Sequence, residues 1–576
     1  MRHEQTQFMN TFESWKRRIF KASVSVCILA ALHICYGSPL FQANNEEVKE
    51  ILRRRIEGDA SGLPSIMIGN ESIKTTKELP GFYSQRLFEP VWIREDGSLP
   101  EAQRMIDAIL EAEKEGLNPR DYHIEKITSI FKTISDNNSA GRKLKPDRLI
   151  DLELLLTDSY LLYGSHLVNG RVNPETYDPE WKIEYGETNV LEILKEAAAT
   201  GRIPESLADL KPKHARYIKL REARFKYKNI ANNGGWPGID SGPSMKAGDK
   251  DARIVQVRKR LEIEGYPSLS APDDPTLFDK DLQQTVVEFQ RHYGLEPDGV
   301  IGPATINAMN VPARDRVRQI SLVMERWRWL PRNLGPKYIR VNIANFKLAV
   351  IENEESVLDM RVIVGRTYRQ TPVFGGKMTY LVLSPYWNVP YNIAVKDKLP
   401  YIKKDPEYLI KNNMKVFAGW GADAEQLDPK SIDWAKVTAG NFSFRLRQDP
   451  GPGNALGKIK FMFPNKYNVY LHDTPSQELF DRAVGTFSSG CIRVAKPVEL
   501  AEYLLKGNGE WSRKTILEAI EKREEKTVRL KNPIPVYLIY STVLVNEDGS
   551  LDFRDDIYNR NKKLDEAMKE ILPDSL

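Results

Sequence analysis

The period of the hydrophobic pattern changes near Lys337, and this change separates two kinds of structure along the chain. Before it, apolar residues recur at helical spacing, as in "EAQRMIDAILEAEKEG", where Met105 and Ile109 share one face until Gly116 ends the pattern. After it, "YIRVNIANFKLAVIENEESVLDMRVIVGR" alternates apolar and polar residues, as β-strands do. The sequence therefore predicts a multidomain α+β protein with a helical N-terminal part and a mostly β, sandwich-like domain near the C-terminus.

Shifts in composition place the expected domain boundaries. A chain of 576 residues is too long for one hydrophobic core, and 231–250 is rich in Gly, Ser, Asn and Pro, which is typical of a linker. We expect a signal peptide or N-terminal membrane anchor over 1–37, a helical scaffold over 46–230, a linker over 231–250, a small three-helix domain over 251–313, a β-rich catalytic domain over 337–545 with a loop-rich and helical insertion, or lid, over 391–452, and a C-terminal hairpin and helical tail over 546–576.

The N-terminus has the layout of a secretory signal. A basic cluster at 16–21 precedes fifteen mostly apolar residues, 22–36, and small residues follow. This stretch is shorter than the roughly 20 residues of a membrane span, although an uncleaved anchor is the alternative. We therefore expect an exported, periplasmic protein, anchored to the inner membrane if the segment is retained.

Cysteine usage then singles out one thiol. Of three cysteines, Cys27 and Cys35 lie in the apolar leader, so cleavage near Gly37 would leave Cys491 alone. An unpaired thiol in an oxidising compartment indicates chemistry rather than a disulfide framework.

Charge and motif content exclude several function classes. The net charge of +5 is too small an excess to indicate a nucleic-acid partner. No H-E-x-x-H is present and histidines number only seven, so neither a metal site nor a cofactor is expected. An S-x-x-K at 129–132 and an S-D-N at 135–137 lie too close together, without a K-T-G, to be the motifs of a serine-type penicillin-binding protein.

A histidine on a predicted strand is the candidate base for the thiol. In "YNVYLHD" strand alternation puts Asn468, Tyr470 and His472 on one face, and Cys491 follows nineteen positions after the histidine. An imidazole can take the thiol proton and return it to a leaving amine. If the two side chains pair, we expect the thiolate to form below the free-cysteine pKa of roughly 8.5. The alternatives are a hydrogen-bonded strand histidine and a small buried cysteine.

Longer stretches around these residues resemble a known enzyme family. "YLHDTP" and "SSGCIRV" together resemble the signature of the YkuD-type L,D-transpeptidases. "SPYWNVPYNIAVKDKLP", "QDPGPGNALGKIKFMFPNKYNVYLHDTP" and "DGSLDFRDDIYNRNKKLDEAM" are similar to the large YcbB-like branch, and "EFQRHYGLEPDGVIGPATINAM" resembles the small peptidoglycan-binding domain. The residue before Gly490 is often histidine in the wider family. Here it is Ser489, which leaves His472 as the only histidine near the thiol in sequence.

The resemblance implies a peptidoglycan L,D-transpeptidase. Cys491 would attack the carbonyl of the third residue, a diamino acid, of a tetrapeptide stem and release D-alanine, and an acceptor amine from another stem would resolve the thioester into a 3→3 cross-link. It implies that His472 is the general acid and base, that the Asp473 carbonyl orients it, and that backbone N–H groups of Gly490 and Cys491 face the oxyanion, helped by the Tyr470 hydroxyl.

The resemblance also suggests partners and a substrate surface. Stem tetrapeptides are the expected donor and acceptor, carbapenems the expected inhibitors, and other wall-synthesis enzymes further candidate partners. The candidate substrate-binding residues are Trp387, Asn468, Ser489 and Arg493. Arg493 suits a stem carboxylate because its guanidinium is planar, although a salt bridge within the scaffold is the alternative.

Several alternatives stay open at this point. The same Cys–His pair would serve an L,D-carboxypeptidase that gives the acyl group to water, and a non-catalytic wall-binding scaffold is a second possibility. The small domain at 251–313 either contacts glycan or acts as a spacer. Among the aromatic residues near the insertion, Trp387 is expected to face substrate, while core packing is favoured for Tyr391, Tyr401 and Trp420.

Overall fold

The computed structural model describes residues 45–570, except 59–65, 94–99, 143, 178–180, 182, 184–187, 267–273, 406 and 422. The expected signal or anchor over 1–37, with Cys27 and Cys35, lies outside the described residues. The chain divides into two compact units. Among the described residues, one comprises those within 45–111, 118–164 and 189–209, and the other those within 112–117, 165–188 and 210–570.

Helices dominate the chain up to residue 328, as the apolar spacing predicts. They are α1 (Asn45–Glu57), α2 (Leu79–Gln85), α3 (Pro100–Leu110), α4 (Ile124–Ser139), α5 (Pro146–Asn169), α6 (Pro174–Tyr177), α7 (Val190–Thr200), α8 (Ile203–Asp209), α9 (Ala215–Asn232), α10 (Arg253–Glu264), α11 (Lys280–His292), α12 (Pro303–Met309) and α13 (Ala313–Arg328). Short 3₁₀ turns lie at Glu111–Glu115 and Pro119–Tyr122, and a two-stranded ribbon pairs β1 (Met67–Ile68) with β2 (Glu71–Ser72).

The first unit is built around α5. Its leucines at 149, 152 and 156 are fully buried, which agrees with its nearly continuous apolar sequence. Polar side chains within this unit are buried as a bonded network. Glu153 accepts hydrogen bonds from the Tyr83 hydroxyl and from the backbone of Val91 and Trp92, so its burial is compensated.

In the second unit, the three short helices α10, α11 and α12 form where the sequence places them. Leu261, Val286 and Phe289 are fully buried in the same hydrophobic cluster as the β domain that follows. Asp279 caps α11 by accepting from the Leu282 N–H, and Pro303 opens α12. Within the expected linker, Met245 is buried and pairs with Ile301 in an isolated bridge.

The β-rich part of the second unit carries one large sheet. Its strands are β3 (Lys337–Asn342), β4 (Lys347–Glu352), β5 (Glu355–Gly365), β6 (Phe374–Leu383), β11 (Ile459–Met462), β12 (Leu471–His472), β13 (Thr486–Ser488), β14 (Ile492–Val494) and β15 (Lys526–Ile539). Among the described residues these nine strands pair in the order β13-β5-β14-β12-β11-β6-β15-β3-β4, and β4 also pairs with β5, so the ladder closes on itself. The predicted multidomain α+β fold class is confirmed.

The insertion over 391–452 shares a small core with the strand that directly precedes it. That strand is β7 (Trp387–Asn388), and the strands of the insertion are β8 (Met414–Phe417), β9 (Gln426–Leu427) and β10 (Arg445–Gln448), paired in the order β7-β10-β8-β9. Its helices are α14 (Tyr391–Ile393), α15 (Leu399–Lys404) and α16 (Tyr408–Lys411), with a π-helical turn at Ala394–Lys398 and 3₁₀ turns at Pro429–Ser431 and Ala439–Asn441. Trp387, Leu409 and Leu446 belong to its hydrophobic cluster.

Three aromatic residues of this region lie where the sequence does not predict them. Tyr391, Tyr401 and Trp420, expected in the core, are 43%, 58% and 52% exposed. Alternation cannot assign these three positions because they lie in turns and short helices rather than in regular strands. Trp387, expected at a substrate surface, is 7% exposed and packs in a hydrophobic core, yet its side chain also lines a large cleft.

The chain ends in helices and a hairpin that pack on the β domain. They are α17 (Pro497–Leu505), α18 (Arg513–Glu521), the hairpin of β16 (Val543–Val545) with β17 (Leu551–Phe553), and α19 (Arg560–Glu570), with a 3₁₀ turn at Gln477–Asp481 before them. The ring of Phe553 stacks on that of Tyr293 from α11 at 5.3 Å. Of the helices in the described part of the chain, none combines the length and hydropathy that crossing a bilayer requires.

Candidate active site

Two short parallel strands bring the predicted base and nucleophile into one cleft. β12 and β14 pair with Leu471 opposite Ile492 and His472 opposite Arg493, so Cys491 lies beside Tyr470 at the start of β14. The rings of Tyr470 and His472 are 5.7 Å apart, as their shared strand face requires. A cleft of about 1360 Å³ contains all three side chains.

His472 is held by the backbone of the next residue. The ring Nδ1 lies 2.5 Å from the Asp473 carbonyl oxygen, and because a carbonyl only accepts, Nδ1 must carry the proton. In the neutral ring Nε2 then carries no proton and can accept one. The Asp473 carboxylate is fixed in turn by the backbone N–H groups of Lys458 and Thr474, at 2.8 and 2.7 Å.

The surroundings of His472 keep the ring neutral. Burial, followed by the positive charge of Arg493 and then that of Lys460, lowers the pKa of His472 to about 3, while hydrogen bonds to the Asp473 and Leu456 backbone act in the opposite direction. Arg493 and Lys460 lie directly opposite His472 in the register, one on each neighbouring strand. The imidazole is therefore a base without charge at neutral pH.

The thiol of Cys491 is also held in its neutral form. Burial raises the pKa of Cys491, and hydrogen bonds from the Tyr470 backbone and hydroxyl, with the charges of Lys460 and Arg493, oppose this without reversing it. Sγ lies 3.8 Å from the Asn468 carbonyl oxygen, a contact that a protonated thiol makes as a donor. In the described part of the chain no hydrogen bond joins the thiol to the imidazole.

The loop before Cys491 is pinned by two hydroxyl groups. Ser488 Oγ donates to the Cys491 carbonyl and accepts from the Gly490 N–H at 3.1 Å, while Thr371 Oγ1 donates to the Gly490 carbonyl at 2.8 Å. Gly490 has a φ of +116°, a conformation that favours glycine. Because its N–H is already donated to Ser488, that bond competes with the oxyanion role expected from the sequence.

The remaining candidate residues also line the cleft. Ser489 accepts a hydrogen bond from Arg369 at 3.0 Å, and Arg369 in turn forms an ion pair with Asp397 of the insertion. Trp387 reaches the cleft from the core of the insertion, and Asn468 and Arg493 flank the thiol. Thus Cys491, His472, Tyr470 and Gly490 share one cleft with all four candidate substrate-binding residues, while Asp473 supports the histidine from behind.

Two functional candidates were missed by the sequence reasoning, Lys460 and Thr371. In "KIKFMFP" alternation does put Lys460 on a polar face, but only the pairing of β11 with β12 places it beside His472. Thr371 contacts Gly490 across 119 positions of sequence, and no local pattern encodes such a contact. Among the described residues, no three His, Cys, Asp or Glu side chains cluster as metal ligands would.

Comparisons with known proteins identify three domains along the chain. Residues 77–223 match a scaffold domain, residues 250–309 a "Putative peptidoglycan binding domain", and residues 336–516 the YkuD L,D-transpeptidase catalytic domain. Residues 336–516 therefore form a YkuD-family L,D-transpeptidase domain. Cys491, His472 and the cleft lie within it, and the three domains follow one another in the order that the resemblance implied.

Similar proteins cover only parts of the chain. A Haemophilus influenzae protein named "Putative L,D-transpeptidase" is 38% identical over 231 residues, which are 40% of this chain and 45% of that protein. The Mycobacterium tuberculosis protein "N-acetylmuramoyl-L-alanine amidase CwlM" is 34% identical over 80 residues, 13% of this chain and 20% of its own length. The chain thus spans less than half the length of these curated relatives.

One solved structure was also compared. The L,D-transpeptidase of Xylanimonas cellulosilytica (residues 123–326) is 14% identical, with 52% of this chain and 99% of that chain covered. Its TM-score of 0.17 is too low to indicate a shared fold.

Proposed function

We propose that this protein is a peptidoglycan L,D-transpeptidase that forms 3→3 cross-links through a thioester on Cys491. The observation that carries the proposal is the placement of Cys491 beside Tyr470 and His472 in one cleft of a YkuD domain, with Nδ1 of His472 fixed by the Asp473 carbonyl. That arrangement supplies a nucleophile and a neutral base whose Nε2 carries no proton.

The first half of the reaction consumes the donor stem. As Sγ attacks the third-residue carbonyl carbon, its proton passes to Nε2 of His472, because both groups are neutral at rest. The tetrahedral adduct then expels the D-alanine amine, which receives that proton. A thioester on Cys491 and free D-alanine result.

The second half uses the same groups in reverse. The acceptor amine attacks the thioester carbonyl and gives a proton to His472, and the thiolate that leaves recovers a proton from His472. The oxyanion of each adduct needs donors, and in the described part of the chain the N–H of Cys491 donates to no other group. We assign that N–H the main role, because the Gly490 N–H is engaged by Ser488.

The surroundings of the pair suit a peptide that carries carboxylates. Arg493 lines the cleft, and its buried Nε has no hydrogen-bond partner among the described residues, which supports its assignment to a stem carboxylate. We assign Trp387, Asn468 and Ser489 to the walls that position the stem. The insertion would act as a cover that limits water, which favours an amine as acceptor over hydrolysis.

Partners and location follow from the same proposal. Stem tetrapeptides serve as donor and acceptor, and carbapenems would acylate the same thiol. Domains that act on peptidoglycan indicate a protein that works outside the cytoplasm, with the domain at 250–309 as its contact with the wall.

Mass spectrometry of muropeptides tests the proposal. Purified protein incubated with disaccharide tetrapeptide should yield cross-linked dimers and free D-alanine, and Cys491→Ala should yield neither because it lacks the acyl carrier. Cys491→Ala should unfold at the same urea concentration as the parent. Tripeptide without dimers would indicate an L,D-carboxypeptidase, and dimers from Cys491→Ala would refute the thioester.

A further inference from the structure

A lysine beside His472 lines the cleft and has no role in the reaction described above. Lys460 lies on β11 directly opposite His472, and its Nζ is 4.0 Å from the centre of the Tyr470 ring. It lines the same cleft as Cys491. The side chain is thus close to the reacting groups, although no motif marks it.

Lys460 has no anionic partner in the described part of the chain. Its Nζ forms no hydrogen bond or ion pair there, and burial lowers the pKa of Lys460, with the Cys491 thiol and Glu525 acting in the opposite direction from beyond hydrogen-bonding distance. The Glu525 carboxylate itself accepts a hydrogen bond from the Tyr386 N–H. Lys460 is half-buried, and a partly desolvated ammonium without a counter-ion favours an anionic ligand.

The lining of the whole cleft, like Lys460, is positively charged. Seven basic side chains and one carboxylate, Asp397, line it among the described residues. Asp397 is paired with Arg369, at 2.9 Å for one of its two contacts, so it neutralises none of the other cations. Such a surface favours an anionic ligand.

The order of the strands indicates which part of the donor lies near Lys460. Across the sheet Cys491 directly precedes β14, β12 carries His472 and β11 carries Lys460, and neighbouring strands are about 4.8 Å apart. The acyl part of the donor stays on Cys491, and the leaving amine must reach His472 to collect its proton. The carboxylate of the leaving D-alanine is one carbon beyond that nitrogen, on the side away from Cys491.

We infer that Lys460 binds the C-terminal carboxylate of the donor stem and so selects donors that end in a free carboxylate. The inference rests on the proposed function, because it takes the D-alanine end of the stem as the leaving group. It assigns Arg493, which lies on the nucleophile's strand, to the retained part of the donor.

A comparison of two donors tests the inference. The donors are a disaccharide tetrapeptide with a terminal D-alanine carboxylate and the same compound with a terminal D-alaninamide, and release of D-alanine or D-alaninamide is measured. We expect the parent to show a KM about tenfold lower for the carboxylate donor. Lys460→Met should raise that KM about tenfold and leave the KM for the amide unchanged, and Lys460→Arg should retain most of the preference.

Lys466→Met is the matched control, because Lys466 is also a lysine over an aromatic ring, Tyr467, but is exposed and does not line the cleft. It should leave both KM values unchanged. Equal losses on both donors in Lys460→Met, or a loss confined to kcat with a shifted pH profile, would show that Lys460 acts on the thiol and imidazole instead of on the donor.

Calorimetric binding separates this inference from the proposed function. In the Cys491→Ala background, which cannot turn over, the carboxylate donor should bind about tenfold more tightly than the amide, and Lys460→Met should abolish the difference. If the parent releases neither product but this binding difference is found, the proposed reaction fails and the carboxylate site stands. Equal binding of the two donors to the Cys491→Ala protein would overturn the inference.

Discussion

At the scale of single residues, the cleft holds its nucleophile and its base as neutral groups. Pairing of Cys491 with His472 predicts a thiolate below the free-cysteine pKa of roughly 8.5, whereas the surroundings of the thiol act in the opposite direction. Burial raises the pKa of Cys491, and burial with the charges of Arg493 and Lys460 lowers the pKa of His472 to about 3. A cation on either side of the imidazole was not visible in the sequence, because register between strands is not encoded locally.

This electrostatic arrangement predicts the alkylation behaviour of the thiol. Because only the thiolate reacts, the rate of alkylation of Cys491 by iodoacetamide should rise with an apparent pKa above that of a free cysteine. His472→Gln should leave that profile unchanged, since the imidazole is uncharged above pH 5, while turnover falls by the roughly 10²–10⁴-fold typical of losing a general acid–base. An apparent pKa below 8.5 that increases in His472→Gln would instead reveal a thiolate–imidazolium pair.

Other residue positions followed from the sequence. Strand alternation placed Tyr470 and His472 on one face, and their rings are 5.7 Å apart. The motif around Cys491 singles out one loop, and the partners of that loop come from far along the chain. Alternation reports which face a side chain occupies, whereas its neighbours depend on pairing that only the fold determines.

At the scale of elements, the C-terminal tail supports the nucleophile loop through one threonine. Thr371 is fully buried, accepts the Gly365 N–H at 2.9 Å and donates to the Gly490 carbonyl at 2.8 Å. Tyr558 donates to the Gly365 carbonyl, and Arg560 donates to the Thr371 carbonyl at 3.2 Å. The segment after β5 thereby links the tail to the loop that carries Cys491.

Loss of the Thr371 hydroxyl should affect stability and catalysis together. Thr371→Val leaves one buried N–H and one buried carbonyl unsatisfied, at about 1–3 kcal/mol for each. The free energy of unfolding in urea should fall accordingly, and kcat should fall about 10- to 100-fold because the Cys491 loop is displaced. Thr371→Ser keeps the hydroxyl and is the control that should restore most of both quantities. A parent-like Thr371→Val together with an impaired Thr371→Ser would show that the methyl group, not the hydroxyl, is what matters.

At the scale of the whole molecule, each compact unit buries ionisable groups, with a glutamate and a histidine whose pKa values are raised in the first unit and two histidines whose pKa values are lowered in the second. In the first unit, burial raises the pKa of Glu153 to about 7, and burial lowers the pKa of His123 less than its hydrogen bonds to Asp158 and Glu71 raise it. In the second unit, burial lowers the pKa of His166 and of His472 to about 3. Composition predicts several domains, but not which of them buries which titrating group.

These shifts predict that the two units respond to pH in opposite directions. Glu153 and His123 bind protons more tightly when folded, so their contribution to stability is present at low pH and is lost as pH rises, from about 4.5 to 7 for Glu153 and above about 6.5 for His123. His166 and His472 bind protons less tightly when folded, so stability in the second unit is present above about pH 6.5 and is lost as pH falls towards 3. Hydrogen exchange followed peptide by peptide between pH 5 and 8, corrected for intrinsic rates, should show protection in the first unit falling and protection in the second rising as pH increases. Glu153→Gln should weaken the response of the first unit alone, since it removes one titrating group but keeps a hydrogen-bond acceptor, and the response due to His123 above about pH 6.5 should remain. A parallel response of both units in the parent would contradict the assignment.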